Sequence, residues 1–139
     1  MIDFVYQNDL NLIYITSDGK TVGKIYYNRP ETEHLVNRVK TYEERVLVES
    51  LNTEGLAVHM RFIRIGEEFR GQGFFREALE KFEALFIDYE FEFVSLLAPH
   101  ELVEFYESVG YVNLGWLGSI KQYLMKKDLN LELRRNNYN

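Results

Sequence analysis

Leu56-Ala57-Val58-His59-Met60-Arg61-Phe62-Ile63-Arg64-Ile65, followed by Gly66-Glu67-Glu68-Phe69-Arg70-Gly71-Gln72-Gly73-Phe74-Phe75-Arg76-Glu77-Ala78, is the stretch on which the rest of the chain turns. The first part reads as a strand, the glycine-bearing part as a turn, and the residues after Gly73 as the start of a helix. Strand, turn and helix in this order let backbone N–H groups and a helix N-terminus hold an anion. Val58, Met60 and Phe62 keep one parity along the strand, whereas Ile63 and Ile65 take the other. Two explanations fit this slip. An inserted β-bulge shifts the buried face by one residue and leaves backbone groups unpaired, which an extended ligand can use. A strand buried on both faces also tolerates adjacent apolar residues.

Working outward, Phe75, Ala78, Leu79, Phe82, Leu85, Phe86 and Tyr89 mark one face of a helix, with Arg76, Glu77, Glu80, Lys81 and Glu83 opposite. A strand over Phe91–Ala98 comes next. Pro99 then opens a second helix, whose inward positions include Leu102, Val103, Tyr106 and Val109 and which Gly110 closes. Tyr111–Leu117 and Lys121–Lys127 read as two strands about Gly118-Ser119. On the N-terminal side, Phe4–Tyr6, Leu10–Thr16 and Thr21–Tyr27 are strand-like, and Ser17-Asp18-Gly19-Lys20 between the latter two carries hairpin-turn chemistry. Pro30 precedes a short helix over Glu31–Lys40. Glu44–Leu51 reads as a strand, and Asn52-Thr53-Glu54-Gly55 as the turn into the long strand. The tail at 129–139 is expected to fray.

A length of 139 residues suits one domain, 1–139, and apolar content of 46% with ten Phe and ten Tyr supplies a core. A net charge of −6 argues against nucleic acid as a partner. That charge either attracts a cationic substrate or only keeps the surface solvated. No run approaches the ~18 apolar residues of a membrane helix, so no membrane partner is expected. The start, Met-Ile-Asp-Phe-Val-Tyr, lacks the basic and apolar regions of a signal peptide, which makes a cytoplasmic location the expectation. The absence of cysteine removes disulfides, thiolate metal sites and a cysteine nucleophile. The aromatic strands after Gly110 are open to two readings, a homodimer face or core.

Arg70-Gly71-Gln72-Gly73 is the candidate for phosphate binding. Its glycines permit close approach of the backbone, the first helical N–H groups have no intrahelical partner, and Arg70 adds a guanidinium. It is not a P-loop, because Gln72 occupies the lysine position. It is not a dinucleotide fingerprint either, because Arg76 takes the third glycine position.

Ile63-Arg64-Ile65-Gly66-Glu67-Glu68-Phe69-Arg70-Gly71-Gln72-Gly73-Phe74 resembles the acetyl-CoA motif of the GCN5-related N-acetyltransferase (GNAT) superfamily. Glu101-Leu102-Val103-Glu104-Phe105-Tyr106-Glu107-Ser108-Val109-Gly110-Tyr111 resembles the second motif of that superfamily, a helix ending Phe-Tyr-Glu-x-x-Gly-Phe/Tyr. The resemblance covers about Leu56–Lys127. It implies an α/β (α+β) fold with a mixed, mostly antiparallel sheet of six to seven strands, flanked by helices and bulged before the cofactor loop. It implies acetyl-CoA as cosubstrate and no metal. Ile63 and Ile65 would offer backbone groups to the pantetheine arm. Arg70 and the backbone of Gly71, Gln72, Gly73, Phe74 and Phe75 would hold the pyrophosphate. Tyr106 would protonate the departing thiolate; for an ordinary phenol that transfer is uphill by ~1.5 pK units, or ~2 kcal/mol.

An alkylammonium must lose a proton before it attacks, at a cost of ~4.6 kcal/mol at pH 7. His59, where relatives often place a glutamate base, and Glu49, on the expected preceding strand, are the two candidates to assist; either also fits as a polar residue on a sheet face. Phe75 replaces the last small residue of the phosphate motif, yet keeps its N–H and lies in phase with Ala78, Leu79 and Phe82. Pro99 stands where relatives often carry Asn. The strand and two helices with which relatives begin, and which build their acceptor pocket, are replaced by hairpin strands and at most one short helix. The expectation is therefore an N-acetyltransferase acting on a primary amine of a small molecule or peptide through a tetrahedral intermediate. Two alternatives stand beside it: a non-catalytic CoA-binding or protein-interaction module of the same fold, and a small α/β domain for another phosphate ligand.

Overall fold

The computed structural model describes residues 1–7, 10–29, 32–52 and 56–129. Three strands come first: β1 (Asp3–Gln7), β2 (Leu12–Ser17) and β3 (Lys20–Asn28). Asp18 and Gly19, with φ of 50° and 78°, make the tight turn between the last two. Helices α1 (Thr32–Arg38) and α2 (Tyr42–Glu49) come next, then β4 (Ala57–Ile65), α3 (Phe74–Asp88), β5 (Phe93–Ala98), α4 (Val103–Ser108), β6 (Val112–Leu117) and β7 (Gln122–Asp128). Among the described residues these seven strands form one sheet in the order β1-β2-β3-β4-β5-β7-β6. The β4–β5 pair is parallel, bridged by α3; the other pairs are antiparallel.

Each face of the sheet has its own apolar layer. Ala78, Leu79, Phe82 and Phe86 of α3 and Tyr106 of α4 pack on one face against residues that include Ile25, Val58, Met60 and Ile63. Leu35 of α1, Val39 just after it and Val48 of α2 pack with Ala57, Phe93, Leu117 and Leu124 on the other.

Both explanations of the parity slip hold, one after the other along β4. Ala57 to Met60 are buried on both faces, whereas Arg61 to Ile65 alternate. At the junction Tyr26 pairs with Phe62 and Tyr27 with Met60, so Arg61 is the inserted residue of a bulge. The bulge lies one residue before the position at which the side-chain pattern breaks.

The expected strand Glu44–Leu51 is instead helix α2. A capping box starts it: Glu44 N donates to Thr41 Oγ1 at 3.2 Å, and Thr41 N donates to Glu44 Oε1 at 3.3 Å. Ser119 holds the same carboxylate through its N–H at 3.0 Å and its hydroxyl at 2.8 Å. These bonds, the Ser119 backbone N–H foremost, hold the Glu44 pKa down to about 2. Val46 and Val48 suggest a strand, but Val48 is fully buried against the sheet and packing overrides their propensity. Two helices, not one, therefore cover this face.

Glu83, expected on the solvated side of α3, is buried. It accepts from Tyr111 Oη at 2.9 Å and from Lys127 Nζ at 2.8 Å. Tyr89, expected on the apolar side, is exposed at the helix end. Leu129, expected in the tail, is buried, and its N–H donates to the Glu92 carbonyl at 2.8 Å. The start of the first helix at Pro30–Glu31, residues 53–55 of the turn before β4, and the tail at 130–139 lie outside the described residues.

Candidate functional site

The last rung joining β4 to β5 is Met60–Leu96, one residue before the bulge at Arg61. Beyond it β4 continues to Ile65 beside β3 alone, while Leu97 and Ala98 of β5 continue beside β7. The two strands part, and the opening lies at the N-terminus of α3.

A cleft of about 620 Å³ occupies this place on the α3/α4 face. Of the residues expected to bind a cofactor, Ile63, Ile65, Arg70, Gly71, Gly73, Phe74 and Phe75 line it. Gln72 does not line it and is exposed. Gly71 and Gly73 have φ of 80° and 83°, a region where a β-carbon is strained, and a Cβ on either would meet nothing within 4 Å. The loop thus turns bare backbone toward open space. Gly73 is the N-cap of α3, a helix of 15 residues, and offers no side chain to its first N–H groups.

Arg64 and Arg76 also line the cleft, but Arg64 alternates with Ile63 and Ile65 and its guanidinium lies 4.6 Å over the Phe62 ring, so Arg70 and Arg76 are the arginines whose side chains serve the cleft, in a chain whose net charge is −6. Arg76 does not stand out in the sequence, where it reads only as part of a solvated helix face. A concave site with bare amides, a helix N-terminus and two arginines suits a ligand with several phosphates, and its apolar walls, which include Phe69 and Phe105, suit an organic moiety. Arg70 is partly engaged already, since its Nε donates to the Ile65 carbonyl at 3.2 Å. That bond orients the guanidinium and takes the Ile65 oxygen, leaving less of the Ile65 backbone for a ligand than the resemblance implies. Phe75 both packs against the core and lines the cleft, with its ring 5.3 Å from Phe105 and 6.3 Å from Tyr106.

Tyr106 lies behind this wall rather than in it. Its ring is 5.5 Å from Phe105 and 5.4 Å from Tyr111, and burial raises its hydroxyl pKa to about 12. Transfer to a thiolate of ordinary pKa is then uphill by ~3.5 units, or ~5 kcal/mol, against ~2 kcal/mol for a solvated phenol.

His59 faces the opposite side of the sheet. It is buried, its Nδ1 lies 2.8 Å from Ser95 Oγ, and burial, with Arg61 second, lowers its pKa to about 4. It lines a smaller cavity of about 150 Å³ with Asn28, Arg38, Arg61 and Gln122. The sequence anticipates His59 and the α1 helix that carries Leu35 and Arg38, but not the α2 layer behind them, which depends on the capping pair Thr41-x-x-Glu44 in a stretch whose valines suggest a strand. Glu49 is the exposed last residue of α2 and lines neither cavity, which corrects its expected place on a strand beside β4.

No protein-family model matches the sequence, and no curated protein matches it by sequence. Solved structures do match in three dimensions. A GNAT-family acetyltransferase from Listeria monocytogenes superposes with a TM-score of 0.65 at 16% identity, over 87% of this chain and 66% of that one. The fold is that of the GCN5-related N-acetyltransferases. Ard1 from Thermoplasma volcanium shares this GNAT fold with a TM-score of 0.59 at 16% identity, over 86% and 70% of the two chains. So does the PaiA N-acetyltransferase of Thermoplasma acidophilum, solved in complex with coenzyme A, with a TM-score of 0.58 at 11% identity, over 84% and 59%. The chain spans between 59% and 70% of the length of these three GNAT structures, and at such identities the likeness is one of fold.

Proposed function

We propose that the protein is an acyltransferase that binds acetyl-CoA in the 620 Å³ cleft and moves its acetyl group to a primary amine of a small molecule or peptide. The observation that carries this reading is the coincidence at one place of the parted β4–β5 seam, the bare Gly71–Gly73 backbone and the arginines Arg70 and Arg76. A structure with the same fold was solved with coenzyme A.

On this reading the loop and the arginines bind the phosphates, and the unpaired edge of β4 lies along the pantetheine arm. The amine nitrogen forms the new C–N bond as the C–S bond breaks. An ammonium acceptor gives up two protons overall, one to the departing sulfur and one to solvent. Tyr106, with a pKa of about 12, is no early proton donor, and its hydroxyl, behind the Phe75–Phe105 wall, serves the departing sulfur only if the thioester end of the ligand reaches past that wall. His59, at about 4, is a poor base for an alkylammonium, since that transfer is uphill by ~6 units, or ~9 kcal/mol; it accepts a hydrogen bond from the incoming amine instead.

Thermal shift with acetyl-CoA, CoA and ATP tests the reading, because a ligand at 100 times its dissociation constant stabilises by ~2.7 kcal/mol. A shift with the CoA species and none with ATP is expected. Absence of any shift with acetyl-CoA or CoA overturns it.

One observation favours a second reading, a CoA-binding module without catalysis: neither Tyr106 at about 12 nor His59 at about 4 is tuned near neutrality. Binding without thiol release from acetyl-CoA in the presence of amines would select it.

A further inference from the structure

The 150 Å³ cavity lies across the sheet from the cleft, at the same seam. His59 pairs with Ser95 on the last rung but one, and Arg61 and Leu97 are the first residues past the last rung. His59, Arg61 and Leu97 all line this cavity, while Ile63 and Ile65, two and four residues beyond Arg61, line the cleft. The two cavities therefore flank one opening in the sheet. We propose that the smaller one is the acceptor site, and that it selects a small primary amine with an anionic group, carboxylate or phosphate, close to its nitrogen. The inference rests on the transferase reading above and adds the class of acceptor.

Three features carry it. The first is charge: Arg38 from the last turn of α1 and Arg61 from the bulge line the cavity. Two guanidiniums favour an anion and repel an acceptor that is only cationic, whatever the net charge of the whole chain. The second is an unmet hydrogen bond. Asn28 Oδ1 is buried and has no donor among the described residues, so a donor such as an amine N–H completes it. The third is size: about 150 Å³ matches ~5 water molecules at ~30 Å³ each, room for an amine, two or three carbons and one anionic group.

These features also fix an orientation. The anion then lies toward Arg38 and Arg61 and the nitrogen toward Asn28 and His59, which is on the last rung but one of the β4–β5 pair. The nitrogen forms its bond to the acetyl carbon as the carbon–sulfur bond breaks; one of its protons ends on the sulfur and the other in solvent.

The test uses matched acceptors with acetyl-CoA, scored by release of free thiol. β-Alanine is compared with β-alaninamide, and O-phosphoethanolamine with ethanolamine, so that carboxylate and phosphate are judged separately. The anionic member of at least one pair should have a kcat/KM higher by about ten-fold or more, the worth of one charge-assisted hydrogen bond. Arg38→Met should reduce that ratio toward one through KM for the anionic amine, and Arg38→Lys should recover part of it. Arg61→Met provides a second, independent loss of the ratio. Equal rates within both pairs, or a preference for the uncharged members, overturn the proposal, as does an acetyl-CoA thermal shift with no turnover of any of the four. If acetyl-CoA produces no shift at all, the transferase reading itself fails, and the thermal shift separates that failure from the others.

Discussion

His59 and Ser95 meet across the parallel β4–β5 pair, Nδ1 to Oγ at 2.8 Å, on the rung before the last one that joins the two strands. Ser95 is fully buried and His59 nearly so. The pair holds a neutral imidazole at the edge of the opening in the sheet.

This burial makes stability depend on pH. The His59 pKa is about 4 in the folded protein and ~6.5 in the unfolded chain, so the unfolded state binds the proton more readily. Its contribution is fully present above pH ~6.5 and is lost as the pH falls toward 4, by ~3 kcal/mol at pH 4. Urea unfolding between pH ~4 and ~7.5 should show this decline, and His59→Gln should flatten it relative to wild type. An identical slope in the two proteins would show that His59 titrates normally.

Tyr106→Phe keeps the ring among Phe75, Phe105 and Tyr111 and removes only the hydroxyl. If the hydroxyl serves the departing sulfur, kcat should fall by about 10²-fold, the lower end of general-acid contributions, with KM for acetyl-CoA little changed. Steady-state kinetics with a thermal melt as control measures this. An unchanged kcat would return Tyr106 to the core.

Gly73→Ala adds a methyl group that meets nothing, so its effect is conformational. A φ of 83° disfavours any β-carbon by ~1–2 kcal/mol. Chemical denaturation should record that loss. Calorimetric titration should record weaker CoA binding, because a loop that relaxes its φ re-aims the amides at the start of α3.

Glu83 holds α3 to β7 through Lys127 and to Tyr111. Lys127 Nζ also donates to the Val109 carbonyl at 2.8 Å, at the end of the helix that carries Tyr106. Glu83→Ala leaves the buried Tyr111 hydroxyl and Lys127 without their acceptor. A loss of ~2–3 kcal/mol is expected, below that of a fully buried pair because Lys127 keeps some solvent contact. Lys127→Met and the double variant complete a cycle whose coupling should be of similar sign and clearly non-zero.

The part of the site that is legible in the sequence is the part fixed by local backbone chemistry. Gly71 and Gly73 announce positive φ, and a parity slip along one strand is consistent with a bulge; the structure places the glycines at the cleft and the bulge at Arg61, where the β4–β5 pair ends. The α3 periodicity predicts a helix but not the fate of Glu83, because a carboxylate on a polar face looks the same whether it meets water or Lys127. The region between β3 and β4 fails for a different reason. Val46 and Val48 carry strand propensity, and the competing signal, Thr41 with Glu44 three residues on, is only two side chains long. With α2 misread, the layer that backs Arg38 and His59 has no place in the chain, and the second cavity cannot be anticipated. Arg76 escapes notice because an arginine on a helix surface acquires meaning only when the fold brings it beside others.

The parted seam makes the sheet a partition with one window. On the proposed reading thioester and amine approach from opposite sides and need not take turns, so both would be bound when the acetyl group crosses. Initial rates with both concentrations varied should then give double-reciprocal lines that intersect. An unreactive analogue of the amine should leave acetyl-CoA free to bind beside it, whereas parallel lines would mean that the protein itself holds the acetyl group between two separate encounters.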